Sequence, residues 1–222
     1  VQTCALPIWK TSLALQMADN IASAGNDVLY FSYEMSEEML VSKSLSRLMY
    51  MACRASKCGH AYAHSFSDIF DHKVTNSKAQ EMLDIAYHNY YLSIGKHMAI
   101  IDKQLDINGI CAAIKKHKDS TGVSPVIFLD YLQIVPPSNP NIASTKQAVD
   151  EIITRLSQIA SDYQVPVVMI SSYNRSMYSK READFGSFNQ TSLIEYQAYC
   201  LMSYQLCGQG TEGFDEKKEI GR

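Results

Sequence analysis

Glycine is scarce, with 10 in 222 residues, and none precedes Gly25. No apolar run approaches the roughly 20 residues that a bilayer demands, so no membrane-spanning helix is expected. No signal peptide is legible. Tryptophan occurs once, and the six cysteines are scattered at positions 4, 53, 58, 111, 200 and 207. That scatter excludes a disulfide scaffold. Cys111 and Cys200 lie in apolar stretches and read as reduced core thiols of a cytoplasmic protein. Charge of one sign is also lacking: 20 Lys and Arg face 23 Asp and Glu, a net −3. No global field therefore draws the chain to nucleic acid, and any such contact needs local basic loops or an assembly that focuses them. What is present is 46% hydrophobic and 19% charged, in a length that suffices for one sizeable α/β domain.

Hydrophobic periodicity predicts alternating helices and strands. Leu13, Met17 and Ile21, with Ala14, Ala18 and Ala22 beside them, predict a helix that Lys10-Thr11-Ser12 opens and Gly25-Asn26 ends. A buried strand follows at 28–32. Ser36, with Glu37-Glu38 after it, predicts an N-cap and a helix carrying Val41, Leu45, Leu48 and Met49. Residues 51–75 have no clear period and read as an irregular insertion. A helix is expected at 77–91, a strand at 98–101 and an Asp106-capped helix to Lys118. The run 126–130, four apolar residues and Asp130, predicts a central parallel strand. A polar loop at 136–144, a long helix through Val149 to Ile159, and strands at 166–171 and 201–206 complete the order. The expectation is a single α/β domain with a mostly parallel twisted sheet and helices on both faces.

Three elements carry chemistry. Lys10-Thr11-Ser12 matches the tail of the phosphate-binding motif G-x-x-x-x-G-K-[ST], in which Lys contacts the outer phosphates and the hydroxyl ligands Mg²⁺. The glycines are missing, and Cys4 to Trp9 stand in their place. The apolar strand ending in Asp130 fits a carboxylate that helps hold the Mg²⁺. Glu34, just past the first strand, suits orientation of an attacking water. Its competing use is to satisfy a helix dipole.

These segments resemble DnaB-like replicative helicases. YFSYEMS at 30–36 is similar to their catalytic-glutamate motif, and FLDYLQIV at 128–135 to their Walker B strand. VPVVMISSYNRS at 165–176 is similar to the next strand, and the segment 187–206 to the one after it. The resemblance implies a RecA-like P-loop fold, a homo-hexameric ring, Mg²⁺ and ATP between neighbours, and movement on single-stranded DNA. It implies nucleotide contacts at Lys10, Thr11, Ser12 and Asp130, with Mg²⁺ at Thr11 and Asp130 and water activation at Glu34. Asn174 and Arg175 fall near the interface or central channel. A primase or helicase loader is an implied partner. Ser172 stands where Gln is frequent, and Gln190, Ser192 and Tyr199 replace the usual Glu, Gly and Asp. These departures point to a divergent branch of phage or mobile-element type. The family's arginine finger lies on a later segment.

Candidate DNA-contacting loops are 136–148, with Lys146, and 175–190, with Arg175, Lys180 and Arg181. Tyr173 and Tyr178 nearby suit stacking on a single strand. Cys53, Cys58, His60 and His64 offer four zinc-type ligands but lack the usual paired spacing, so a polar insertion is the expectation. Two other functions share the fold: a RecA- or RadA-like recombinase ATPase, and a non-catalytic interaction protein if the glycine loss is native.

The ends of the sequence bear on that last point. Residues 1–8 and the first base of the Trp9 codon back-translate to a string ending TCTTCCGATCT, the end of a common sequencing-library adapter. Residues 219–222 back-translate to GAGATCGGAAGA, which contains its reverse complement. The expectation is adapter-derived residues at 1–8 and 219–222, a motor domain at 9–218, and a native glycine where Trp9 stands.

Overall fold

The structure, a computed structural model, describes residues 7–139, 142, 144–171 and 193–202. Its centre is a four-stranded, all-parallel sheet. The strands are β1 (Val28–Ser32), β2 (Met98–Ile101), β3 (Val126–Asp130) and β4 (Val167–Met169), in the order β2-β1-β3-β4. The helices are α1 (Pro7–Ser23), α2 (Glu37–Ala55), α3 (Phe66–Phe70), α4 (Ser77–Asn89), α5 (Ile107–Thr121), α6 (Thr145–Tyr163) and α7 (Leu193–Gln197). Among the described residues no helix is long and apolar enough to cross a membrane.

Alternate residues of β1 and β3 feed two cores. Leu29, Phe31, Ile127 and Leu129 meet Ile110 and Ile114 of α5 and Val149, Ile152, Ile153 and Leu156 of α6. Val28, Tyr30 and Phe128 meet Ala14, Leu15, Ala18 and Ala22 of α1, together with Leu40 of α2. The buried face of α1 is thus its alanine row. Leu13 of the expected apolar face is 46% exposed, and Met17 and Ile21 are only partly buried. The small side chains leave room for α1 to pack against both the sheet and α2.

Local signals set most boundaries. The Ser36, Asp106 and Ser144 side chains accept from Met39, Gly109 and Gln147 amides and cap α2, α5 and α6. Gly25, at φ 85°, ends α1 with amide bonds from Gly25 to Ala22 and from Asn26 to Ile21.

Two expectations are corrected. Residues 51–75 are not irregular throughout: α2 continues to Ala55, a 3₁₀ turn spans His60–Tyr62, and α3 follows. Ile69 and Val74 join Leu45, Met49, Cys53, Ala79, Met82 and Ala86 in a third core. Each large apolar side chain so buried contributes roughly 1.5–3 kcal/mol toward ordering a segment that has no strong helical period of its own. The second correction concerns 201–206. Leu201 and Met202 are not in a strand, and 203–206 lie outside the described residues. In the same C-terminal region, the short helix α7 packs Ile194 against the α6 face of the sheet.

Candidate nucleotide site

β1 and β3 are neighbours, and Ser32 pairs in register with Asp130. The chain leaves β1 toward β2 on one side, while β3 and β4 extend the sheet on the other. In open α/β sheets, ligands bind outside the carboxyl ends of strands at such a switch point. Glu34 and Asp130 both lie there.

Asp130 is 2% exposed. Its Oδ2 accepts from the Tyr30 hydroxyl at 3.0 Å, and the Thr11 hydroxyl lies beside the carboxylate. Burial holds its carboxyl above the ordinary range; the neighbouring hydroxyls of Thr11 and Tyr30 and the charges of Lys10 and Lys43 oppose that shift. Thr11 is itself 3% exposed, so α1 presents a buried hydroxyl to a buried carboxylate. The Asp130–Tyr131 peptide is cis.

Lys10 approaches from α1, its Nζ 6.0 Å from the centroid of the Tyr131 ring. Burial lowers its pKa, and the charges of Asp130 and Glu34 pull it back up. Glu34 is exposed. The turn that carries it is fixed: the Ser32 hydroxyl donates to the Met35 carbonyl at 2.6 Å and accepts from the Met35 amide at 3.3 Å. The Tyr33 amide donates to the Asp130 carbonyl at 2.8 Å, and the Tyr33 hydroxyl to the Leu105 carbonyl at 2.6 Å. Glu34 is thus a solvent-facing carboxylate on a held backbone.

Lys43 of α2 was not legible as a site residue. Its Nζ donates to Ser12 Oγ at 3.3 Å and lies 4.4 Å from the centroid of the Phe66 ring. Burial lowers its pKa, and the Asp130 charge raises it. Among the described residues it forms no salt bridge within 4.0 Å. Its position seven residues past the Ser36 cap was the available signal, since two turns of helix return the chain to one face.

The backbone cradle departs from expectation. Lys10-Thr11-Ser12 do not open α1, which starts at Pro7. A helix starting there engages the Thr11 amide with the Pro7 carbonyl, so that amide is not free for a phosphate. The side chains converge, while the glycine loop that would redirect the amides is absent from the sequence.

Lys146 is exposed on the first turn of α6. Asn174, Arg175, Lys180 and Arg181 lie outside the described residues, as do Ser172, Gln190 and Ser192; Tyr199 is exposed. The four zinc-type residues do not converge. His60 stacks on Tyr50 with centroids 5.0 Å apart, and His64 Nδ1 lies 3.6 Å from Asp68 Oδ2. Among the described residues no group of three or more His, Cys, Asp or Glu is placed to hold a metal ion.

Comparison with known proteins decides the family. The DnaB-like helicase C terminal domain matches residues 7–202. The chain belongs to this family. DnaB-like relatives include a probable plasmid replicative DNA helicase of Chlamydia psittaci, 26% identical over 170 residues, covering 76% of this chain and 33% of that protein. The replicative DNA helicase DnaB of Geobacillus stearothermophilus is 24% identical over 176 residues, covering 79% and 35%. The chain therefore spans about a third of the length of these curated relatives. Among solved structures, one described as an ATPase domain matches with a TM-score of 0.67 at 19% identity, covering 85% of this chain and 62% of that one. A DnaB-like replicative helicase described with its primase interactions matches at 0.69 and 20%, covering 85% and 42%. The fold is the RecA-like α/β fold of helicase ATPase domains, as the DnaB-like motifs imply.

Proposed function

We propose that this DnaB-like domain is the motor of a replicative helicase that binds Mg²⁺-ATP at the ends of β1 and β3. The protein hydrolyses ATP to move along single-stranded DNA as a ring of six. The observation that carries the reading is the buried Asp130 carboxylate beside the buried Thr11 hydroxyl, flanked by Lys10 and by the Glu34 turn. A hydroxyl and a carboxylate facing each other are hard oxygen donors of the kind Mg²⁺ takes beside phosphates. Thr11 and Asp130 would hold the ion, which would neutralise charge on the terminal phosphates.

Lys10 and Lys43 then bind phosphate oxygens from two sides, and Ser12 orients Lys43. Lys43, half-buried over Phe66, has an ammonium whose desolvation an anion would offset. Glu34 takes the proton of the attacking water. Lys146, Asn174, Arg175, Lys180 and Arg181 contact the DNA backbone, six copies concentrating charge that one subunit lacks. A primase or helicase loader docks on the assembled ring, and the protein works in the cytoplasm on a plasmid- or phage-type replicon.

The 222-residue sequence as written binds ATP poorly, because Cys4 to Trp9 replace the glycine loop. In this reading residues 1–8 and 219–222 are adapter translation, and Trp9 stands for a native glycine. Genomic DNA upstream of codon 10 tests it: glycine-rich codons support the reading, and a native TGG codon in matching genomic sequence removes it.

The functional test is DNA-stimulated ATP hydrolysis and unwinding by the intact parent, lost in Glu34→Gln. Strand exchange without unwinding would establish the recombinase reading instead. A parent that binds no nucleotide would establish the non-catalytic one.

A further inference from the structure

α2 ends in a cap that brings two thiols together. The Ser56 amide donates to the Ala52 carbonyl at 2.9 Å, and the Cys58 amide returns to the Cys53 carbonyl at 3.3 Å. Lys57 between them has φ 54°. A helix that ends with a left-handed residue and such a six-residue return sets the first and sixth side chains against each other. In most caps that contact is apolar; here both positions are cysteine. Cys58 Sγ lies 3.6 Å from the Cys53 carbonyl oxygen, and Cys58 packs against the third core, to which Cys53 belongs. Both are free thiols, Cys53 fully buried and Cys58 partly exposed.

We propose that Cys53 and Cys58 form a redox modification site, a dithiol that a peroxide converts reversibly into an intrachain disulfide at the end of α2. A cap that sets the first and sixth side chains against each other leaves side-chain rotations to bring the sulfurs to the S–S length of about 2.05 Å. Cys58, the exposed partner, reacts first: its thiol gives up its proton, the thiolate attacks the peroxide O–O bond to form a sulfenic acid, and the departing hydroxide takes that proton and leaves as water. The Cys53 sulfur then attacks the Cys58 sulfur. The S–S bond forms, the S–O bond breaks, and the departing hydroxide takes the Cys53 proton as a second water. Two thiols and one peroxide give one disulfide and two waters. The order follows from burial, which pushes the Cys53 thiol up to about 11 and makes it a poor first nucleophile.

The location gives the modification reach. From Cys58 the chain runs through the His60–Tyr62 turn to α3, whose Phe66 lies under the Lys43 ammonium. A disulfide fixes the root of the segment that carries Phe66. The dithiol chemistry stands apart from nucleotide binding, because it needs only two thiols and an oxidant.

Its test is peptide mapping of the reduced 222-residue protein after treatment with one equivalent of hydrogen peroxide and alkylation. The expected product is a Cys53–Cys58 linkage, lighter by two hydrogens, resistant to alkylation and restored by dithiothreitol. Cys58→Ser, checked for folding by circular dichroism, should abolish the linkage and leave Cys53 reduced. If that variant misfolds, mapping of the unsubstituted protein alone decides. Over-oxidation of Cys58 beside a free Cys53, or linkage of either thiol to another chain or to Cys111, overturns the proposal.

Discussion

Tyr30 and Asp130 meet across neighbouring strands, the phenolic hydroxyl donating to the carboxylate Oδ2 at 3.0 Å. Their strands pair so that Tyr30 lies opposite Phe128, on which its ring stacks with centroids 5.7 Å apart. Asp130 is therefore the diagonal neighbour on the same face. Tyr30→Phe keeps the stack and removes the donor. The expected cost is about 1–3 kcal/mol, because a buried carboxylate loses one of its hydrogen bonds. Urea unfolding checks it, and an unchanged midpoint would refute the role given to Tyr30.

Asp130 itself is expected to lower stability at neutral pH. Its folded pKa is raised by burial, so the folded state holds a proton that the unfolded chain releases. The stability it contributes is full below the ordinary carboxylate range and is lost as pH rises through the raised value. Asp130→Asn should flatten that fall and raise Tm near pH 7 by roughly 2–4 °C, the response of a domain of this size to about 1 kcal/mol. The same substitution should abolish Mg²⁺-dependent nucleotide binding in the intact parent. Thermal melts across pH 4–8 separate the two effects.

Asp19 is a second buried carboxylate, and it braces α1 against α2. It accepts from Arg47 at 2.6 Å and from Ser44 at 2.7 Å, with its side chain fully buried and that of Arg47 25% exposed. Burial raises its pKa against those contacts. Arg47→Ala should cost about 3 kcal/mol by leaving a buried charge without its ion pair. Asp19→Asn in the same background should recover part of the loss. Chemical denaturation of both variants tests the pair.

For Lys43 the expectation concerns binding. In the intact parent, Lys43→Ala should weaken nucleotide affinity about tenfold, equivalent to about 1.4 kcal/mol. Lys43→Arg should retain most of it. Fluorescent-nucleotide titration is the measurement, and equal affinity in Lys43→Ala would remove Lys43 from the phosphate site.

Much of this was legible in local sequence. Val28–Ser32, Met98–Ile101 and Val126–Asp130 are short apolar runs with the turn signals that bound buried strands, and they fold as expected. Ser36 and Asp106 were readable as caps because a capping side chain acts on amides two or three residues away. Residues 51–75 are the opposite case. Their helical turns are short, and Ile69 and Val74 share a core with Met49 and Met82, which the local period does not reveal. The expected α1 face divides: Ala14, Ala18 and Ala22 are buried while Leu13 is exposed, because close packing favours the small side chains that hydropathy ranks below Leu.

The sequence by itself determined the parallel α/β order, the strand ending in Asp130 and the carboxylate at Glu34, because those follow from periodicity and turn chemistry within a few residues. Only the tertiary structure decided that Thr11 lies beside Asp130, that Lys43 reaches Ser12, and that α1 runs back to Pro7. Those contacts join α1, α2 and β3 across long crossovers. Their register is set by how the sheet and its covering helices pack, which no local window contains.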